Sequence, residues 1–220
     1  MSSTGDSRCA ERDTETRRIP KAPRAKPGGR RRLRIAFASS ATYYAGRVSS
    51  KLIFAALVAV CIMAVYFYAH HNWHPLPAKT RIDRIVVEKS AKRLSIFHNG
   101  NLVKSYRIAL GRNPVGAKQE EGDMKTPEGI YQIDGRNLQS NFHLALHVSY
   151  PSDEDTLRAT KRGVSAGSDI MIHGIQNGRG WIGAFHRWKN WTAGCVALTD
   201  EEIEELWSVS PNGTMIEIRP

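Results

Sequence analysis

An uncharged apolar run at residues 52–69 constrains the architecture of this chain more than any other feature of the sequence. A helix rises about 1.5 Å per residue, so this run reaches roughly 27 Å, close to the hydrocarbon thickness of a bilayer. Tyr66, Tyr68 and Trp73 lie at one end, where aromatic side chains favour the membrane interface. A buried core helix of this length would normally show a polar stripe, which is missing here. The sequence therefore predicts a single transmembrane helix at 52–69.

The basic charge of the chain is concentrated before this run. Residues 1–51 carry 13 Lys/Arg against 4 Asp/Glu, a net charge of +9 out of +11 for the whole chain. Residues 1–34 lack hydrophobic periodicity and are rich in Arg, Pro and Gly, which predicts a disordered arm. The positive-inside rule then places the N-terminus in the cytoplasm and the C-terminal region outside. Without aromatic interleaving, the arm is not expected to bind nucleic acid.

A cleaved signal peptide is the alternative interpretation of the apolar run. The polar region before the run is about 50 residues long, whereas signal peptides have a short one. Phe67 also occupies the position three residues before a cut after Ala69, where a small residue is needed. An uncleaved span is therefore the stronger prediction.

Residues 70–80 predict a tether between the span and a folded domain. Pro75 and Pro77 interrupt it, and its eleven residues reach at most about 40 Å. The domain at 81–220 is therefore expected to work near the membrane. His70, His71 and His74 lie in the tether without a nearby carboxylate or cysteine, so no metal site is expected there.

The pattern after Arg81 is that of a mostly β domain with a minor helical component. The β-prone runs are residues 82–87, 94–97, 102–110, 130–133, 142–148, 169–173 and 214–218. Asn99-Gly100 predicts a hairpin between the second and third runs. One helix is predicted from Thr199, because Glu202 lies three residues on and completes a capping box.

Cys195 is the lone cysteine of this domain, and its neighbours indicate chemistry. A catalytic cysteine needs a histidine within hydrogen-bond reach and backbone N–H groups aimed at the developing oxyanion. His173 ends one apolar run and Cys195 begins another, while Gly194 lets the chain come close to a substrate. From spacing alone, a buried inert cysteine and a histidine bonded to backbone stay open as the alternative.

Several motifs together resemble the L,D-transpeptidase catalytic domain, the YkuD family. They are Lys-Thr-Pro-Glu-Gly at 125–129, Ile-His-Gly at 172–174 and Thr-Ala-Gly-Cys at 192–195, after the β-prone run 82–110. Phe-His-Leu at 142–144, Ser-Tyr-Pro at 149–151 and Trp191 resemble the YafK-like branch most. The resemblance covers residues 82–219 and implies a β-sandwich.

The resemblance implies acyl transfer in peptidoglycan. The Cys195 thiolate would attack the diaminopimelate carbonyl of a stem peptide and expel D-Ala, with His173 as base and with Gly194 and the Cys195 amide at the oxyanion site. The acceptor would be a stem amine, giving 3-3 cross-links, or the lysine of an outer-membrane lipoprotein. No metal or organic cofactor is implied, and the domain would lie in the periplasm, anchored in the cytoplasmic membrane. Hydrolysis at the same site, or a non-catalytic cell-wall-binding role, are the alternatives.

This sequence departs from the main branch of the family at two positions. Ala193 stands where the main branch has a second histidine, and Ala197 where it commonly has arginine. His186 is a candidate for the missing imidazole. The expected substrate-binding residues are Thr192, His143, Tyr150, Gly174, His186 and Trp191. If the Cys–His pair forms, iodoacetamide should label Cys195 faster than an ordinary thiol.

Overall fold

A computed structural model describes residues 49–71, 74–77 and 79–220 of the chain. Residues 1–48, which include nearly all of the basic arm, and Trp73 therefore lie outside the described residues. Helix α1, Ser50–His70, covers the predicted span and extends it at both ends. Its mean hydropathy is 2.5 and none of its residues is buried. By length and composition, α1 is a candidate membrane span.

Within the described residues, eight strands and two further helices follow α1, which confirms the mostly β architecture with few helices. The strands are β1 Arg84–Glu88, β2 Arg93–His98, β3 Asn101–Arg107, β4 Gly129–Ser140, β5 His143–Val148, β6 Met171–His173, β7 Val196–Ala197 and β8 Met215–Arg219. The helices are α2 Asp153–Lys161 and α3 Asp200–Val209, and a 3₁₀ segment covers Gly180–Trp188. The Asn99-Gly100 hairpin joins β2 to β3 as predicted.

The strands are hydrogen-bonded in the order β3-β2-β1-β8-β4-β5-β6-β7. The long strand β4 pairs with β8 through its first residues and with β5 through the rest, so it belongs to both halves of the sheet. Isolated bridges then join Ala109 to Ala197 and Gly111 to Thr192, which brings the chain after β3 against β7. The sheet therefore folds back on itself and encloses the core.

The core is built mainly of aliphatic side chains from the strands, together with three tyrosines and apolar residues of α3. Ile85, Leu94, Ile133, Leu146 and Ile216 are fully buried. Each such side chain contributes about 1.5–3 kcal/mol relative to an exposed one. This burial holds the short strands β6 and β7 in place, although they make few ladder bonds of their own.

Both helices of the domain begin with a capping box. Thr199 and Glu202 form the predicted one at α3, which confirms that helix. Helix α2 was not predicted, although Ser152 and Asp155 make the same reciprocal hydrogen bonds. Its signal was weak because Asp replaces the usual Glu or Gln and the helix buries little apolar surface.

Candidate active site

His173 and Cys195 are brought together by the parallel pairing of β6 and β7. In this register Ile172 lies opposite Val196, and His173 lies opposite Ala197. Cys195 directly precedes Val196, the first residue of β7. Extending the alternation of the strand back by one residue puts the Cys195 side chain on the same face as that of Ala197, and therefore as that of His173. The two candidate residues thus share one face of the sheet.

Both residues line one cavity of about 580 Å³. The other lining residues are Arg112, Phe142, Ile175, Gln176, Arg179, Ile182, His186, Trp191, Thr192 and Ala193. Two of these residues are arginines and none is acidic. The cavity is therefore positively charged, which suits a substrate that carries carboxylates.

The imidazole of His173 is held as a neutral base. It is buried, and its Nδ1 lies 2.7 Å from the carbonyl oxygen of Gly174. A carbonyl can only accept, so Nδ1 carries the proton and Nε2 keeps its lone pair. Burial lowers the pKa of His173, against the opposing effect of the Gly174 hydrogen bond. His173 can therefore take up a proton at Nε2.

The Cys195 thiol is protonated in the resting structure. Its Sγ lies 3.6 Å from the carbonyl oxygen of Asp169, to which it donates. Burial raises the pKa of Cys195, and a hydrogen bond from the Met171 backbone only partly opposes this. Among the described residues, no hydrogen bond joins Sγ to His173. The geometry does not support faster alkylation than that of an ordinary thiol, and we revise that expectation.

Thr192 fixes the turn that presents the nucleophile. Its buried hydroxyl accepts a hydrogen bond from the Gly194 N–H at 3.2 Å and donates one to the Cys195 carbonyl at 2.7 Å. The Gly194 N–H is therefore already engaged. In contrast, the Cys195 N–H has no hydrogen-bond partner among the described residues. At this turn, the Cys195 amide is the donor left for an oxyanion.

Gly194 serves this turn through its backbone conformation. Its φ is +138°, and a Cβ at this position would lie 2.7 Å from the Lys125 carbonyl oxygen. The turn at 125–129 thus packs directly under the nucleophile. Within it, the buried Thr126 accepts a hydrogen bond from the Gly111 N–H at 3.2 Å. Sequence reasoning recognised the turn as a motif but not its place beneath Cys195.

His186 carries a buried N–H group that has no hydrogen-bond partner in the described part of the chain. The indole Nε1–H of Trp191 lies 3.3 Å from His186 Nδ1 and can only donate, so Nδ1 is the acceptor and Nε2 carries the proton. Nε2 is buried and unpaired among the described residues. Burial lowers the pKa of His186 to about 3, helped by the charge of Arg187 and by His173. The ring is therefore neutral, with one donor unused.

Aromatic rings surround the imidazole of His173. The ring centroid of Phe142 lies 4.6 Å from that of His173, and the centroid of Trp191 lies 5.6 Å from it. Arg112 donates through Nε to the Trp191 carbonyl at 3.2 Å, which places its guanidinium at the cavity. Sequence reasoning missed Phe142 and Arg112 as cavity residues. No local motif marks Arg112, since the Gly111–Thr192 bridge alone brings it there.

Three of the expected substrate-binding residues are not among the cavity-lining residues. His143 Nε2 lies 2.7 Å from Glu204 of α3. Tyr150 is buried and donates to the Ala166 carbonyl at 2.9 Å, and burial raises its pKa to about 12. Gly174 packs so closely that a Cβ would lie 2.7 Å from Asp200 Oδ1. These three residues contact neighbouring parts of the fold, and their role in substrate binding stays a prediction.

Comparison with known proteins gives matches over the domain that contains the cavity. A family model described as the L,D-transpeptidase catalytic domain, YkuD, matches residues 82–218. The curated Escherichia coli (strain K12) protein named "Putative L,D-transpeptidase YafK" is 28% identical over 108 residues, which is 48% of this chain. The alignment covers 36% of that relative, so this chain corresponds to about a third of its length.

Solved structures show the same fold. A mutant of the helical cell shape determining protein Pgp2 from Campylobacter jejuni superimposes with a TM-score of 0.50 at 21% identity. The match covers 70% of this chain and 52% of that one. At this identity, the likeness applies to the fold alone.

Proposed function

Because the chain belongs to the L,D-transpeptidase catalytic domain family, we propose that it is a peptidoglycan L,D-transpeptidase that acts through a thioester on Cys195. The observation that carries the proposal is the placement of Cys195 and His173 on one face of β6 and β7, in the same cavity. The positive lining of that cavity supports a stem peptide as substrate, because such peptides carry free carboxylates.

In the acylation step, His173 Nε2 takes the thiol proton as Sγ attacks the diaminopimelate carbonyl carbon. The S–C bond forms, and the negative charge on the carbonyl oxygen is stabilised by the Cys195 N–H. Collapse of this intermediate breaks the C–N bond to D-Ala, and the imidazolium returns its proton to the leaving amine. Since thiol and imidazole are neutral at rest, proton transfer accompanies attack.

In the second step, an amine attacks the thioester and releases the thiol. The amine of a second stem gives a 3-3 cross-link, and the lysine of an outer-membrane lipoprotein gives an attached lipoprotein. Water as the acceptor would make the same site an L,D-carboxypeptidase or a lipoprotein-releasing amidase. The same nucleophile and base serve all three acceptors, so identifying the product decides among them.

Contacts at the nucleophile turn and in the cavity wall support roles for the remaining site residues. Thr192 and Gly194 shape the turn that presents Cys195. Trp191 and His186 line the cavity beside His173. The Nε2–H of His186 is buried and unpaired among the described residues, so it would donate to a peptide oxygen only after a local movement of the segment Gly180–Trp188 opens it to the cavity. The main branch of the family has a second histidine at the position of Ala193, and we propose that His186 takes over the role of that histidine.

Helix α1 supports a membrane anchor with the catalytic domain in the periplasm. The helix is long and apolar enough to span a bilayer, and the basic arm precedes it. The positive-inside rule then orients the N-terminus toward the cytoplasm.

The test is mass spectrometry of purified muropeptides incubated with the full-length chain in detergent. New 3-3 dimers support transfer, and stems shortened by D-Ala support hydrolysis. The variant Cys195→Ala should form neither. If wild-type protein gives no product and no mass shift on Cys195, the enzymatic proposal fails and a non-catalytic cell-wall-binding role replaces it.

A further inference from the structure

The 3₁₀ segment Gly180–Trp188 exposes three large aromatic side chains. Trp181, Phe185 and Trp188 are 69%, 40% and 82% exposed, and we call them the aromatic edge. Phe185 and Trp188 contact each other edge to face, with centroids 5.6 Å apart. Single exposed apolar residues are common on protein surfaces, whereas several on one short segment mark an interaction site. The aromatic edge is therefore a candidate binding surface.

The end of helix α1 contacts the same segment. His70 Nε2 lies 2.8 Å from the Trp181 carbonyl oxygen. Gly183 has a φ of +49°, and a Cβ there would lie 2.8 Å from the His70 ring and 3.0 Å from the Ala69 carbonyl oxygen. This contact is close enough to require glycine. The contact places the segment that carries the aromatic edge at the C-terminal end of α1.

The length of α1 then gives the depth of the aromatic edge in a membrane. A helix of 21 residues is about 31 Å long, which matches a hydrocarbon core of about 30 Å. His70, the last residue of α1, therefore reaches the outer boundary of the core. Headgroups extend roughly 5–8 Å beyond that boundary. The backbone of Trp181, whose carbonyl oxygen lies one hydrogen bond from His70, therefore falls at headgroup depth.

We propose that the aromatic edge inserts into the outer headgroup region of the bilayer and holds the catalytic domain against the membrane. Tryptophan is favoured at this depth because its ring is apolar and its N–H can stay hydrated. This surface is a second membrane contact besides α1, and the inference rests on the proposed membrane anchor.

The contact also orients the catalytic site. Ile182 and His186, on the same 3₁₀ segment, line the cavity that contains Cys195. One face of the segment therefore forms the cavity wall while its exposed aromatics meet lipid. The cavity is thus held next to the membrane surface rather than free to sample the length of the tether.

Tryptophan quenching in nanodiscs tests this contact with the full-length chain. Trp73, next to the apolar run in the sequence, is replaced by Phe in every variant. Phosphatidylcholine brominated near the headgroup is the lipid-borne quencher, and iodide is the aqueous one. The test variant is Trp181→Phe with Trp188→Phe. The matched control is Trp207→Phe, whose ring instead lies under Arg136 at 4.2 Å.

We expect the test variant to lose most of the quenching by brominated lipid, while the control keeps it. If Trp181 and Trp188 are quenched by iodide and not by lipid, the aromatic edge faces water or a protein partner and the inference is overturned. Intact mass measured on membrane-extracted protein separates the two proposals. Loss of residues 1–69 from the mature chain would overturn the anchor, whereas a full mass without lipid quenching overturns only the aromatic edge.

Discussion

The hydroxyl of Thr192 donates a 2.7 Å hydrogen bond to the backbone carbonyl of Cys195. The same oxygen accepts from the Gly194 N–H. One buried side chain thus closes the turn, while the Cys195 N–H has no hydrogen-bond partner among the described residues. The orientation of the proposed oxyanion donor therefore depends on a hydroxyl that does not react.

Thr192→Val should weaken the nucleophile turn, whereas Thr192→Ser should preserve it. Valine leaves the Gly194 N–H and the Cys195 carbonyl unpaired, which costs about 1–3 kcal/mol for each buried group. We expect a lower Tm and slower formation of the acyl-enzyme, followed by intact mass after mixing with a tetrapeptide stem. Equal rates for the valine and serine variants would contradict this role.

His186→Phe should slow acylation of Cys195 by a peptide without slowing its alkylation. Acylation develops an oxygen charge and needs peptide positioning, whereas attack on iodoacetamide needs neither. Losing one hydrogen bond of about 1.5–3 kcal/mol lowers the rate about 10- to 100-fold.

Peptide mapping by mass spectrometry resolves Cys195 from the other two cysteines in this experiment. His186→Gln retains an N–H donor and should recover part of the acylation rate. His147→Phe, on a histidine paired with Asp134 outside the cavity, serves as the control. If alkylation falls as much as acylation in His186→Phe, the residue acts on the thiol and not on the peptide.

The pH dependence should differ between alkylation and acylation. Burial raises the pKa of Cys195, so the thiolate fraction at pH 7 is lower than for an ordinary thiol, and alkylation should keep rising above pH 9. Burial lowers the pKa of His173, so the neutral base persists below the usual histidine range, and acylation should decline only well below pH 6.5. Alkylation that is already maximal at pH 7 would show a thiolate–imidazolium pair at rest.

Gly194→Ala should be much more damaging than Gly213→Ala. Both glycines have positive φ, which costs an L residue about 1–2 kcal/mol. At Gly194 the methyl group also lies 2.7 Å from the Lys125 carbonyl oxygen, whereas at Gly213 nothing lies within 4 Å. We expect Gly194→Ala to lose acyl-enzyme formation and Gly213→Ala to keep it, with thermal denaturation measured for both. Similar activities would show that the turn can shift without cost.

Tyr150→Phe should lower stability but leave acylation unchanged. The hydroxyl is buried and donates to the Ala166 carbonyl, so its removal costs about 1–3 kcal/mol. Urea denaturation measures the loss, and acylation kinetics at a temperature below the transition check the activity. A fall in acylation with unchanged stability would support the predicted role of Tyr150 in substrate binding.

The sequence determined the features that depend on local chemistry. The apolar run gives α1, Asn99-Gly100 gives its hairpin, and Thr199 with Glu202 gives the start of α3, because each is decided by neighbours within a few residues. The lone Cys195 and the motif around His173 marked the site for the same reason. Helix α2 was missed where the local signal was weak.

The tertiary structure decided what these residues can do. The register of β6 against β7 places His173 and Cys195 on one face, and the Gly111–Thr192 bridge brings Arg112 to the cavity. Burial raises the pKa of Cys195 and lowers that of His173, which favours the neutral form of both groups over the thiolate expected from the motif. Burial and strand register arise from contacts between residues far apart in the chain, so no local pattern could supply them.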